Sequence, residues 1–405
     1  MKYDFTTVVN RSNTGSSKWE LMKSLNPNVS EGIIPLSVAD MELKNPPEII
    51  KGLQEYLENA VLGYPSATKE FLDAVTSWTK RRYGWETKSE WIINTPGIVN
   101  AFYQCVRAFT NPGDGVIVMT PVYYPFFMAI ETNDRKIVRN PLILNDNGKY
   151  EIDFDDLEKK AKIDSNKMLI LSNPHNPVGR VWTKEELTKI GNICLENNVL
   201  VISDEIHCDL IIPGYTHTTF ANICEDFAQN TITCIAPSKT FNLAGMQCSN
   251  IFIKNEELKE KYLNELMKTA QVSRLNTLGY IATKIAYTQC DEWLDELIKL
   301  IDTNRKELTK YIQANIPQIK VINMEGTYLQ WLDCRGLEID YKELERINIF
   351  EAELFIDEGY IFGVEGEGFE RINLACPTSV LMDALERFNN TIQKYVCKEK
   401  NQLVK

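Results

Sequence analysis

The chain has 405 residues, of which 44% are hydrophobic and 25% charged, an average globular composition that excludes a disordered, collagen-like or membrane-bundle protein. At about 150 residues per domain that length suggests two or three domains. Forty-four basic residues against fifty-six acidic ones leave a formal charge of −12 without any Lys/Arg-rich block, so neither nucleic acid nor an anionic membrane is expected as a partner, although one pocket can still be locally positive.

Taken from the start, MKYDFTTVVN reads as neither a signal peptide nor a transit peptide. No apolar run approaches the roughly 18 residues of a membrane span; the longest, Val122–Ile130, is about half that and contains a proline. Ten cysteines, from Cys105 to Cys397, include no Cys-x-x-Cys pair. A chain this long needs no disulfide framework, and a reducing cytoplasm is the expected compartment.

Between about residues 90 and 255 short apolar runs alternate with amphipathic stretches. Trp91-Ile-Ile-Asn, Val116-Ile-Val-Met, Met168-Leu-Ile-Leu, Val199-Leu-Val-Ile, Ile232-Thr-Cys-Ile and Asn250-Ile-Phe-Ile read as buried strands, apolar on both faces. Thr183 and Glu186 form a capping-box pair ahead of Leu187, Ile190, Ile193 and Cys194 at helical spacing. Buried strands alternating with helices predict an α/β domain with a largely parallel sheet. Beyond Asn255 the spacing predicts one long helix from Glu256 to about Tyr287 and another over Glu292–Asn315. Lys320-Val-Ile-Asn, Tyr328-Leu-Gln-Trp and Arg371-Ile-Asn-Leu then mix polar and apolar residues, as in an antiparallel sheet covered on one face.

Four strand ends carry chemistry. Asn94-Thr-Pro-Gly97-Ile98 is a strand–turn–helix entry whose free N–H groups can cradle a phosphate. Ser172-Asn-Pro-His-Asn176-Pro-Val-Gly179 is either a tight turn or a site where Asn176 donates to a phenolate oxygen. Asp204, ending Val201-Ile-Ser-Asp, is either a helix cap or a carboxylate that keeps a pyridine nitrogen protonated. Lys239, in Ala236-Pro-Ser-Lys-Thr-Phe-Asn-Leu-Ala-Gly245, is either an exposed loop lysine or a Schiff-base lysine whose pKa burial lowers. The three histidines, His175, His207 and His217, show no metal-ligand spacing, and no metal is expected. Gly363-x-x-Gly366-x-Gly368 lacks the order and context of a dinucleotide fingerprint. Trp19, Trp78 and Trp293 read as core or interface aromatics.

In order and spacing, Asn173-Pro-x-Asn176-Pro-x-Gly179, Asp204-x-x-His207 and Ser238-Lys239 resemble the pyridoxal 5′-phosphate (PLP) enzymes of fold type I, in the class I/II aminotransferase family. Asp4-Phe-Thr-Thr-Val-Val-Asn-Arg11, Thr14-Gly-Ser-Ser-Lys-Trp19, Val38-Ala39-Asp40-Met41 and Lys239-Thr-Phe-Asn-Leu-Ala-Gly245 narrow the resemblance to its cystathionine β-lyase, or C–S lyase, branch. The resemblance implies the PLP-dependent transferase fold, an α/β architecture. A large domain (46–287) would hold a mostly parallel sheet of the seven-stranded type, and a smaller α+β domain would combine 1–45 with 288–405. It implies Lys239 as the Schiff-base lysine, Asp204 beside the pyridinium nitrogen, Asn176 near the 3′ oxygen and Tyr123 stacked on the ring, with His207 close by. Tyr124 would face the substrate as a catalytic group. Gly97, Ile98 and Ser238 would hold the phosphate, helped by Tyr64 from the second subunit of a homodimer with shared active sites. Arg371 and Ala39 would bind the amino-acid substrate.

His207 and Gln247 stand where many aminotransferases carry Tyr and Arg, which favours the lyase branch; Ala236 replaces a phosphate-binding Ser, and Thr378 has no functional account. The expected reaction is β-elimination from cysteine S-conjugates, cystathionine being representative, to give thiol, pyruvate and ammonia. Aminotransfer between an amino acid and a 2-oxo acid is the alternative, because the cofactor motifs serve both. Two other classes fit less well. A PLP-binding regulator needs a DNA-binding region, and the resemblance begins within a few residues of Met1. A nucleotide-dependent enzyme needs a Gly-x-x-x-x-Gly-Lys-[Ser/Thr] motif, which is missing.

Overall fold

Strands that are apolar on both faces must be covered on both sides. The computed structural model of the chain, which describes residues 2–269 and 275–402 with side chains as far as residue 396, places six such segments and one more exposed strand in a single sheet. They are β1 (Ile92–Thr95), β2 (Gly115–Thr120), β3 (Lys136–Pro141), β4 (Asn166–Ser172), β5 (Leu200–Asp204), β6 (Thr231–Ile235) and β7 (Ser249–Ile253). Across the sheet the order is β1-β7-β6-β5-β4-β2-β3. The neighbours from β6 to β3 pair in parallel, while β7 runs antiparallel to both β1 and β6. Alternate residues serve opposite faces: Val116, Val118, Met168 and Ile170 enter one apolar cluster, and Ile117, Met119, Leu169 and Leu171 enter the other. The helix Lys184–Glu196 on the second face begins with the capping box of Thr183 and Glu186 that its sequence calls for.

A smaller antiparallel sheet contains β8 (Lys320–Val321), β9 (Leu329–Asp333), β10 (Asp357–Glu358) and β11 (Phe369–Asn373), in the order β8-β9-β11-β10. A third apolar cluster joins this sheet to the N-terminal segment and to the helices Asp291–Asn315 and Thr378–Gln402. Trp19, Trp78 and Trp293 all lie buried in it. Thr378 donates to Asn304 Oδ1 at 2.7 Å, and Asn304 donates to the carbonyls of Leu374 and Cys376. The threonine therefore pins the start of the C-terminal helix. In the glycine run, Gly366 passes so close to Gly359 that a Cβ on it would stand 2.0 Å from the Gly359 carbonyl oxygen. Backbone proximity accounts for that glycine.

One expected element is wrong. The continuous helix expected from Glu256 to about Tyr287 is two helices, Glu256–Lys268 and Thr277–Gln289. Asn276 caps the second by accepting from the Gly279 N–H, so the apolar spacing continues across a fresh helix start; residues 270–274 of the expected helix lie outside the described residues. Among the described residues no helix is long and apolar enough to cross a membrane. The nine cysteines with described side chains are unpaired, and Cys397 lies outside them.

Candidate active site

In an open parallel sheet, loops leaving the carboxyl ends of the strands converge on one edge. Here they enclose a cavity of about 150 Å³. The turn after β1 gives it Gly97 and Ile98, and the loops after β2 and β4 give Tyr123 and Asn176. Asp204 and His207 come from the end of β5, Ser238 and Lys239 from the turn after β6, and Ala39 from the N-terminal segment.

Lys239 lies in the short helix Pro237–Thr240, and its Nζ donates to the Ala39 carbonyl at 2.7 Å. Burial lowers its pKa to about 8, and the Arg371 guanidinium adds to the effect, while Asp40, Asp204 and Asp357 oppose it. The amine therefore loses its proton far more readily than an ordinary lysine. Asp204 shows the converse, since burial raises its carboxyl to about 7 against a hydrogen bond from the Ile206 N–H at 3.2 Å and the nearby Lys239. A cation placed against Asp204 would reverse most of that cost. His207 is held well below its usual pKa by burial and by the charges of Lys239 and Arg371, so its ring is neutral, and its Nδ1 is buried without a partner.

Arg371 on β11 is 3% exposed. Its Nη2 and Nε donate to Asp357 Oδ2 at 2.6 and 3.1 Å, and its Nη1 donates to Asn176 Oδ1 at 2.8 Å. Its guanidinium also stands 4.5 Å from the centroid of the Phe362 ring. The Asn176 side chain thus spends its oxygen on Arg371 and keeps its amide N–H groups free. The phenol of Tyr123 is raised by burial, and its backbone N–H donates to the Asn176 carbonyl at 3.1 Å. Tyr124 stands outside the cavity lining, 40% exposed, with its ring centroid 5.6 Å from that of Tyr123. Tyr64 is not brought to the site within the protomer; it is 98% exposed in the Ala60–Thr68 segment, beside exposed Val61 and Leu62.

Sequence reasoning missed Asp357, Asn373 and Tyr328. Asp357 occupies a two-residue strand with no motif around it. Asn373 ends β11 and donates to the carbonyls of Val38 and Asp40 at 2.8 and 2.9 Å. The Tyr328 hydroxyl is buried without a partner, with its ring centroid 6.0 Å from that of His207. Position in a half-apolar strand was the only signal for either. The other two histidines are structural. His175 bonds the Pro121 carbonyl at 2.9 Å and is held to a pKa of about 4 by burial, and His217 pairs with Glu205 at 2.8 Å.

Among the described residues the His207 Nδ1 is buried without a partner, and neither the Asn176 amide N–H groups nor the Ser238 hydroxyl at the cavity makes a hydrogen bond. Gly97, with φ of +93°, is the N-cap of the helix Ile98–Phe109 and offers its N–H groups no side-chain acceptor. An amine of lowered pKa, a buried carboxylate, an amide donor and an uncapped helix start suit a ligand with an aldehyde, a basic ring nitrogen, a phenolic oxygen and a phosphate. That set is PLP, and the residues fit it.

The family model for aminotransferase class I and II matches residues 31–388. The chain is 40% identical over 377 residues to cystathionine beta-lyase PatB of Bacillus subtilis, an alignment covering 93% of this chain and 96% of that protein. Among solved structures, cystalysin from Treponema denticola, which contains a pyridoxal 5′-phosphate cofactor, superposes with a TM-score of 0.96 at 52% identity, covering 97% of this chain and 100% of that one. The PLP-bound C-S lyase from Staphylococcus hominis superposes with a TM-score of 0.89 at 34% identity, covering 97% and 98%.

An amine reacts with electrophiles only when unprotonated. In cofactor-free protein, acetylation of Lys239 followed by peptide mass spectrometry should therefore rise with pH through a midpoint near 8. A midpoint at the ordinary lysine value would contradict the burial and charge balance described above.

Proposed function

The chain belongs to the class I and II aminotransferase family, and from that premise we propose that it is a PLP-dependent lyase cleaving the Cβ–S bond of cysteine S-conjugates. The observation that carries this reading is near-full-length similarity to a cystathionine beta-lyase and to a PLP-bound C-S lyase, joined to the cavity around Lys239. Residues 46–287 form the cofactor-binding unit on this reading, and 1–45 with 288–405 supply the Arg371 side of the site.

Bound in the cavity, PLP supplies the electron sink that makes the substrate's Cα–H bond acidic. Lys239, with a pKa lowered to about 8, would take the Cα proton as general base. Arg371 offers its remaining N–H groups to the substrate carboxylate, which fixes the face that Lys239 meets. Asp204 holds a proton on the ring nitrogen through a charge-assisted hydrogen bond. Gly97, Ile98 and Ser238 would hold the phosphate, Asn176 would offer its amide to the 3′ oxygen, and Tyr123 would cover the ring with Tyr124 on the substrate side. Neutral His207 adds no third cation beside Lys239 and Arg371. The thiol leaves Cβ carrying the proton that balances the one taken from Cα, and the resulting aminoacrylate takes up one water to give pyruvate and ammonia. An open groove of about 900 Å³ adjoins the cavity at Ala244 and gives the departing group a way out.

The proposed active unit is a homodimer in which Tyr64 completes the partner's phosphate site, a reading supported by the exposure of Val61, Leu62 and Tyr64 on one extended segment. A reducing cytoplasm suits nine unpaired cysteines.

Purified enzyme given cystathionine and no 2-oxo acid should release pyruvate continuously; no pyruvate, with cystathionine converted to its own 2-oxo acid only when a keto acid is added, assigns the chain to aminotransfer. Asp204→Asn is nearly isosteric but stabilises no cation, so turnover should fall by roughly a hundredfold or more while cofactor affinity changes far less. Near-normal elimination by that variant would make Asp204 a structural cap. Sedimentation of the active enzyme should give a dimer, and a fully active monomer rules out a shared site.

A further inference from the structure

Val38 is β-branched yet has φ of +57°, in the left-handed region that favours glycine. Such a conformation persists only where its surroundings over-determine it. Here they do. The Val38 N–H donates to Asp357 Oδ2 at 2.9 Å, and the Val38 carbonyl accepts from Asn373 Nδ2 at 2.8 Å. The Asp40 carbonyl accepts from Lys18 Nζ at 2.7 Å, and the side-chain amide of Asn242 bonds both the N–H and the carbonyl of Met41. Residues 38–41 thus form a ledge gripped by side chains from four other parts of the chain. The ledge carries the Ala39 carbonyl that receives the Lys239 amine.

The Oδ2 atom that receives the Val38 N–H also accepts Arg371 Nη2 at 2.6 Å and Nε at 3.1 Å. With Nη1 donating to Asn176, three of the five guanidinium N–H groups are occupied and two remain for a ligand. Asp357 and Arg371 are direct partners across the β10–β11 ladder, so the side-chain pair is held by backbone register as well.

We propose that Asp357 is a positioning residue for both ends of an α-amino acid: one carboxylate aims Arg371 at the carboxyl group and, through Val38, sets the carbonyl that holds the Lys239 amine. The substrate class rests on the lyase reading; the coupling itself rests on this geometry. The charged groups bearing on Lys239 are Arg371, which lowers its pKa, and Asp40, Asp204 and Asp357, which raise it. Removing the Asp357 charge therefore lowers the Lys239 midpoint, whereas simple loosening of the ledge would admit water and raise it toward the ordinary lysine value.

The test uses full-length Asp357→Asn, with Asp357→Glu as a second variant that keeps the charge but displaces it. Lys239 acetylation in cofactor-free protein reads the midpoint, and spectroscopic titration of the holoenzyme reads binding of L-alanine, which has no leaving group at Cβ. Asp357→Asn should lower the Lys239 midpoint and weaken L-alanine binding at least tenfold, with little effect on binding of ethylamine, which has no carboxylate. Asp357→Glu should weaken L-alanine binding while the midpoint stays near 8. Asn373→Ala, which loosens the ledge without touching Arg371, should leave L-alanine binding within about threefold and should not lower the midpoint. An unchanged midpoint with unchanged L-alanine binding in Asp357→Asn overturns the proposal, as does a midpoint that rises in both Asp357→Asn and Asn373→Ala. Neither readout involves elimination, so a failure here is distinct from a failure to release pyruvate.

Discussion

The site depends on keeping one primary amine, that of Lys239, dehydrated without leaving it permanently protonated or permanently buried away from ligand. Burial and the Arg371 guanidinium press against its charge, and Asp40, Asp204 and Asp357 press the other way, settling near a pKa of 8. Three carboxylates around two cations would be a costly arrangement if any charge stood alone. The structure avoids that by giving Asp357 to Arg371, Asp40 to Arg11, and Asp204 a backbone hydrogen bond with its face toward the cavity. Asp204 is the least satisfied of the three, and its raised pKa records that. The group that most needs a cationic partner thus stands where a ligand can supply one.

The sheet dictates where this balance can be built. Because β2, β4, β5 and β6 are buried on both faces, with most of their apolar side chains in the two clusters that flank the sheet, only their ends are free for chemistry. Each end then contributes one function: an uncapped helix start after β1, an aromatic ring after β2, an amide after β4, a carboxylate after β5 and an amine after β6. Arg371 on the smaller sheet bonds Asn176 in the cavity wall, and the Val38–Met41 ledge brings Ala39 to the lining, so the site is assembled across the two sheets. The apolar cluster that includes Trp78, Phe241 and Trp293 ties these parts together just behind the lysine turn.

By itself the sequence determined what local periodicity and short motifs can carry. Runs apolar on both faces located six of the seven large-sheet strands, the Thr183–Glu186 box marked a helix start, and the residue types after β4, β5 and β6 named the groups that meet at the cavity. It did not show β3, whose Lys136–Pro141 segment is mostly half-exposed and lacks a continuous apolar run, nor the new helix start at Asn276 inside an unbroken apolar spacing. Only the tertiary structure decided the pairings that govern the chemistry. Asn176 meets Arg371 across 195 positions, Lys239 meets Ala39 across 200, and Asp357 meets Val38 across 319. Contacts that distant leave no mark on neighbouring residues, because the hydrogen bond exists only once the two sheets have closed on a common core.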